Sequence, residues 1–110
     1  MYNYTDEQKE LLSNVLEKYG LDHQLSKTIE ECSELIRAIS KVFMIDMSEY
    51  SDEDPGFSVQ QFLTEIIDVE IMLFQLKLSL KGSEYLTNFY EAEKIRKFEK
   101  IQKMMEEVKC

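Results

Sequence analysis

The sequence predicts an all-α protein, a four-helix bundle-like protomer in a single domain spanning residues 1–110 that assembles as an oligomer. Three observations carry this expectation. Only three glycines and one proline interrupt 110 residues, which favours long helices over a many-turned β fold. Apolar residues recur at helical rather than alternating spacing. Thr5-Asp6-Glu7-Gln8 and Ser58-Val59-Gln60-Gln61 each match a capping box, in which a hydroxyl and an amide or carboxyl three residues on cap each other's backbone N–H.

Each element follows from such local signals. A first helix runs from about residue 6 to 19, stopped by Gly20. Asp22 serves as the cap of a second, which continues to about Ile45. The acidic stretch from Asp46 to Gly56 reads as a solvated connector, with a role as a lid the alternative. The second capping box opens a third helix at Ser58, ending near Lys81 with Gly82 beyond it. Ser83 starts a fourth that reaches the C-terminus.

Composition excludes several functions. A formal charge of -9 argues against binding a nucleic-acid polymer, which requires clustered Lys and Arg. A nucleotide stays open, because Mg²⁺ can bridge acidic side chains to phosphate. The run from Phe62 to Leu80 is apolar enough to test as a membrane span. It contains Glu65, Asp68, Glu70, Gln75 and Lys77, costly in lipid, so a buried helix and no membrane association are expected. Residues 1–7 lack the basic segment and apolar run of a signal peptide. Two cysteines, Cys32 in mid-helix and Cys110, suggest reduced thiols and a cytoplasmic protein rather than a disulfide framework.

Two acidic patterns stand out: Glu30-Glu31-Cys32-Ser33-Glu34 and Glu65-Ile66-Ile67-Asp68. Residues three or four apart are neighbours on a helix. A helical wheel gathers Gln24, Lys27, Glu31 and Glu34 in one stripe of the second helix, with Glu30 at its margin. Leu25, Ile29, Leu35, Ile36, Ile39 and Phe43 share a broad apolar arc beside it. Gln61, Glu65, Asp68 and Gln75 share one side of the third helix, whereas Glu70 and Lys77 fall opposite. That helix is otherwise apolar almost all round, as a helix buried in a bundle or an oligomer would be.

Acids on a helix are ordinarily a solvated face, but Ile66, Ile67, Val69, Met72 and Leu76 crowd Glu65 and Asp68. If two such pairs met at about 6 Å, each repulsion would cost on the order of 3 kcal/mol at an effective dielectric of about 20. Protonation or a divalent cation would relieve it. All-carboxylate sites suit hard cations such as Mg²⁺ and Mn²⁺. Di-iron bundles use Glu-x-x-His motifs, and the single histidine, His23, has no Glu three residues before it and reads as a surface or capping residue. Cys32 turns toward the apolar arc and reads as core. The acidic connector lacks the ligand spacing of an EF-hand.

Gln24-x-x-Lys27-x-x-Glu30-Glu31-x-x-Glu34-Leu35, followed by Glu65-x-x-Asp68, resembles the all-α nucleoside triphosphate pyrophosphohydrolases of the MazG-like group. Their signature is Glu-Glu-x-x-Glu, a variable connector, then Glu-x-x-Asp. The resemblance covers roughly residues 22–81, and a Lys/Arg-rich helix follows as it often does in the family. The connector from Glu34 to Glu65 departs from the family in being long and acidic. The resemblance implies Mg²⁺ held by Glu31, Glu34, Glu65 and Asp68, with Mn²⁺ the alternative metal. Glu30, Glu31 and Glu34 become the candidate catalytic acids, Glu30 orienting a ligand or the attacking water. A nucleoside triphosphate would be cleaved between the α and β phosphates, in a homodimer or homotetramer.

Basic residues should balance the remaining phosphate charge. Lys27 either meets phosphate or pairs with Glu30 or Glu31 along its own helix. Lys94, Arg96 and Lys97 are candidates by analogy with the family, the alternative being pairing with Glu91, Glu93 and Glu99 on a solvated face. Gln24 is a candidate contact to the base or sugar. The competing reading is a non-catalytic acidic helical oligomer that binds a partner, which would not require all four acids; a redox di-metal bundle is disfavoured by the missing histidines.

Overall fold

The computed structural model describes residues 3–43 and 54–108, with side chains at 3–43 and 59–107. These residues form four helices: α1 (Asp6–Tyr19), α2 (Leu21–Phe43), α3 (Asp54–Leu78) and α4 (Glu84–Val108). No strand occurs among the described residues, as the all-α expectation required. None of their helices is long and apolar enough to cross a membrane. The chain falls into two compact units, Met1–Leu78 with α1 to α3 and Ser79–Cys110 with α4.

The entry to α1 is the capping box in full. Thr5 Oγ1 accepts from the Gln8 backbone N–H at 3.0 Å, and Gln8 Oε1 accepts from the Thr5 N–H at 2.9 Å. Asp6 and Glu7 in the first turn and Lys18 in the last complement the helix dipole. Gly20 ends the helix with its N–H on the Leu16 carbonyl at 2.9 Å and φ 85°, ψ 161°, a backbone region that is essentially glycine's alone. A Cβ there would meet no atom within 4 Å, so only the backbone resists a side chain. Gly20→Ala is expected to destabilise the protein by about 1–3 kcal/mol, read from urea unfolding at unchanged m-value; a change within ±0.3 kcal/mol, about the scatter of such fits, would show that the junction relaxes.

α2 starts directly after Gly20, whose carbonyl accepts from the Gln24 N–H at 3.2 Å. Asp22 is therefore a first-turn acid facing the helix dipole and not the cap expected of it. The expected extension to Ile45 and most of the acidic connector, Asp46 to Glu53, lie outside the described residues. α3 begins at Asp54, four residues before Ser58, so Ser58 lies inside the helix instead of capping it. Pro55 explains the difference, since proline is well suited to a first helical turn, where its missing N–H costs nothing. The same start removes Asp54, Pro55 and Gly56 from the expected connector. α3 ends at Leu78, three residues before Lys81, and a turn over 79–82 follows. Ser83 caps α4 as expected, its Oγ accepting from the Leu86 N–H at 3.1 Å.

Within the first unit α2 pairs chiefly with α3, and α1 touches both. The pair is antiparallel, since Gln24 near the start of α2 bonds Gln75 near the end of α3. Tyr4 extends the cover, its ring edge-on to Phe74 at 5.0 Å. The face of α2 that meets α3 is the polar stripe. Gln24, Glu31, Glu65 and Gln75 are only 4, 9, 6 and 2% exposed, beside buried Ala38, Val69 and Met72. Much of the apolar arc is uncovered instead, with Ile29 69%, Ile36 65% and Phe43 85% exposed, while Leu35 and Ile39 are half-buried. Hydrophobicity alone would have turned that arc inward, and Cys32 beside it is half-buried and free instead of core.

Candidate metal centre

Glu31 on α2 and Glu65 and Asp68 on α3 converge where the two stripes meet. One carboxylate oxygen from each lies within 4.8 Å of the others. The sequence spacing contributes directly: Glu65 and Asp68 are one turn apart on α3, and the antiparallel pairing brings Glu31 of α2 to both.

The two buried glutamates are each half satisfied. Glu65 Oε1 accepts from Gln61 Nε2 at 2.7 Å, and Lys27 Nζ stands 3.5 Å from Glu31 Oε1. Glu31 Oε2 and Glu65 Oε2 are buried with no hydrogen-bond partner. Leaving a charged acceptor dry is expensive, commonly more than about 1–3 kcal/mol. Both orphaned oxygens belong to the acids of the triad, so a ligand that satisfies them must be positively charged or a donor.

The electrostatics agree. Burial first, then the charges of Glu31 and Glu65, hold the Asp68 carboxyl above its ordinary value, with Lys27 opposing. Glu31 foremost, then burial, Glu65 and Glu30, push Glu34 up as well. Lys27 is raised by Glu30 above all, with Glu31 adding a hydrogen bond and its charge, so it stays protonated. One lysine thus faces several carboxylates, and the cluster retains negative charge that a hard divalent cation would neutralise.

The other expected site residues fall into distinct places. Glu34 is outside the mutual 4.8 Å group but lines a cleft of about 310 Å³ with Arg37, Ala38, Lys41, Gln61 and Glu65. Glu30 is exposed and pairs with Lys27 at 3.5 Å, outside the triad. Gln24 donates through Nε2 to Gln75 Oε1 and accepts from His23 Nδ1 at 2.8 Å, so its amide already ties α2 to α3. His23 itself is exposed and stacks on Tyr19, as a surface residue should. In the second unit Lys94 pairs with Glu91 at 3.0 Å, while Arg96 and Lys97 pair with Glu93, the latter at 3.9 Å. Arg37 and Lys41 went unremarked in the sequence; their only signal was a place three and seven residues after Glu34.

No protein-family model, curated protein or solved structure matches this chain.

Proposed function

We propose that this chain is a Mg²⁺-dependent nucleoside triphosphate pyrophosphohydrolase of MazG-like type, releasing a nucleoside monophosphate and pyrophosphate. The observation that carries the proposal is the convergence of Glu31, Glu65 and Asp68 around two buried carboxylate oxygens without partners. These are three of the four acids that the resemblance assigns to the metal, and they come from both of its motifs. The fourth, Glu34, borders the same centre on the cleft side.

The reaction joins a water oxygen to the α-phosphorus and breaks the bond from that phosphorus to the α–β bridging oxygen, which leaves with pyrophosphate as the water's protons pass to solvent. Mg²⁺, or Mn²⁺ in its place, would neutralise phosphate charge and lower the pKa of the attacking water. Glu31, Glu65 and Asp68 would supply hard oxygen ligands, with Glu34 the fourth acid that the resemblance assigns. Gln61 orients Glu65 through its 2.7 Å bond, as an outer partner of a ligating carboxylate does. Lys27 holds Glu31 and Glu30 along one side. Glu30, exposed and paired with Lys27, would orient a ligand or the attacking water.

Pyrophosphate release from a panel of ribo- and deoxyribonucleoside triphosphates, with and without Mg²⁺, tests the reading. Metal-dependent release from at least one substrate is expected, and no turnover of any nucleotide would refute it.

A second reading is favoured by a separate observation. The arc of Leu25, Ile29, Ile36 and Phe43 on α2, with Leu63 and Ile67 on α3, is an exposed apolar surface that a monomer seldom leaves bare. It supports a homodimer or homotetramer, compatible with the enzyme, and it is also what a non-catalytic interaction protein would carry. Light scattering at micromolar concentration should give at least a dimer; a monomer there would leave the arc without its expected partner. Free, half-buried Cys32 supports a reducing, cytoplasmic location.

A further inference from the structure

The cleft beside the acidic triad has walls of opposite charge. Glu34 and Glu65 line it beside buried Ala38, Glu65 being itself a member of the triad. Arg37 and Lys41 line it as well, one helical turn apart on α2 and farther along that helix from Glu31 than Glu34 is. Like charges four residues apart on a helix repel, and although Glu34 and Glu65 line the same cleft, neither is in an ion pair with them. Neither cation forms an ion pair among the described residues, unlike Lys27, Lys94, Arg96 and Lys97, each tied to a glutamate.

The opposite end of the same interface is closed by side chains already engaged with one another. There Gln24 and Gln75 close α2 onto α3, and Lys27 is engaged by Glu30 and Glu31. Among the described residues of the first unit, Arg37 and Lys41 are the cations that line this cleft. At about 310 Å³ the cleft is at the small end of ligand pockets, which run from about 300 to 1,000 Å³, a size for part of a nucleotide and not the whole.

We propose that Arg37 and Lys41 form the subsite for the terminal phosphates of the substrate, the diphosphate portion that leaves as pyrophosphate. The assignment rests on the hydrolase reading and gives it a polarity. The substrate's α-phosphate lies at Glu31, Glu65 and Asp68, its β and γ phosphates extend toward the C-terminal end of α2, and its nucleoside points away from them. Arg37 offers a planar fork suited to two phosphate oxygens, and Lys41 adds a point charge one turn on. Monophosphates and nucleosides leave the subsite empty.

The test is calorimetric titration with inorganic pyrophosphate at a fixed Mn²⁺ concentration, comparing wild type, Arg37→Gln/Lys41→Met, Arg37→Lys, and a charge control on α1, Lys9→Gln. Mn²⁺ binding is measured separately by electron paramagnetic resonance. The double variant should bind pyrophosphate at least about tenfold more weakly, the loss of charged hydrogen bonds. Its Mn²⁺ affinity should stay within about twofold, because no triad ligand is touched. Arg37→Lys should retain part of the affinity and Lys9→Gln all of it. With triphosphate substrate, KM should rise in the double variant while inhibition by nucleoside monophosphate is unmoved. Equal pyrophosphate affinity in wild type and double variant, or none in the Mn²⁺-loaded wild type, overturns the subsite even if nucleotides are hydrolysed. Pyrophosphate binding that depends on Arg37 and Lys41 without turnover of any nucleotide supports the subsite and removes the hydrolase reading instead.

Discussion

Glu65→Gln is expected to abolish Mg²⁺-dependent pyrophosphate release while making the metal-free protein more stable. The substitution preserves shape, and the new amide oxygen can still accept from Gln61 Nε2, 2.7 Å away in the native protein. What disappears is one charge of the triad and one of its two orphaned oxygens. Two unit charges about 4.8 Å apart repel by on the order of 3 kcal/mol at an effective dielectric of about 20, so removing Glu65's charge relieves two such repulsions in part. The same charge is what would hold metal against the α-phosphate. Losing one charge-stabilising group at a reacting centre costs roughly 10²–10³-fold in turnover, and a metal ligand belongs at the upper end. Glu31→Gln/Asp68→Asn should behave alike. An acid whose charge is offset by a cation predicts the reverse, a less stable variant, because that attraction would be lost with no net repulsion relieved. Thermal melting in chelator and pyrophosphate release in Mg²⁺ are the two measurements. Full activity, or a lower melting temperature without metal, would show that the triad is not a metal centre.

The parts of this molecule legible in its sequence are those decided locally or by exact spacing. Thr5 and Gln8 cap one another over three residues, and nothing distant competes with them. Glu65 and Asp68 share a helix face whatever surrounds them, and the two polar stripes meet because each carries a glutamine and acids at matching intervals. The start of α3 was less legible, as two start signals stand close together: Ser58 with Gln61, and Asp54 with Pro55. Only the second begins the helix. The wheel found the apolar arc of α2 but could not tell whether its cover comes from the same chain. Ile29 and Ile36 are exposed because the polar stripe occupies the contact with α3. Glu34, grouped with Glu31 by spacing, is close enough for Glu31 to raise its carboxyl, and it also lines the cleft, outside the mutual group of three. Arg37 and Lys41 looked like any solvated cations until the pairing of α2 with α3 made a cleft between them and the acids.

Saturating divalent metal should raise the melting temperature, and by more at neutral than at acidic pH. A ligand that binds only the folded state at about one hundred times its Kd adds about 2.7 kcal/mol. For a domain of this size each kcal/mol shifts Tm by roughly 4–8 °C, so a rise on the order of 10 °C is expected. The pH dependence follows from Asp68, whose carboxyl is held above its ordinary value by burial, Glu31 and Glu65. Between its unfolded and folded pKa the native state binds a proton that the unfolded chain has released. The unfolded chain then carries fewer protons, so stability falls as pH rises through that window. Below the unfolded pKa the native advantage is fully present; above the folded pKa it is gone, and the ionised cluster bears its repulsion. Metal and protons compete for the same oxygens, so the stabilisation conferred by Mg²⁺ or Mn²⁺ should grow across the window and level off above it. The chelated protein should show the opposite trend, losing stability over the same range. General relief of the chain's net charge of -9 also favours mild acid. Glu65→Gln separates the two effects, because it leaves most of that charge in place while weakening the triad. Its chelated melting curve should be flatter with pH and its response to divalent metal largely lost. An equal rise in Tm from Na⁺ at matched ionic strength, or an undiminished response to metal in the variant, would assign the effect to surface screening.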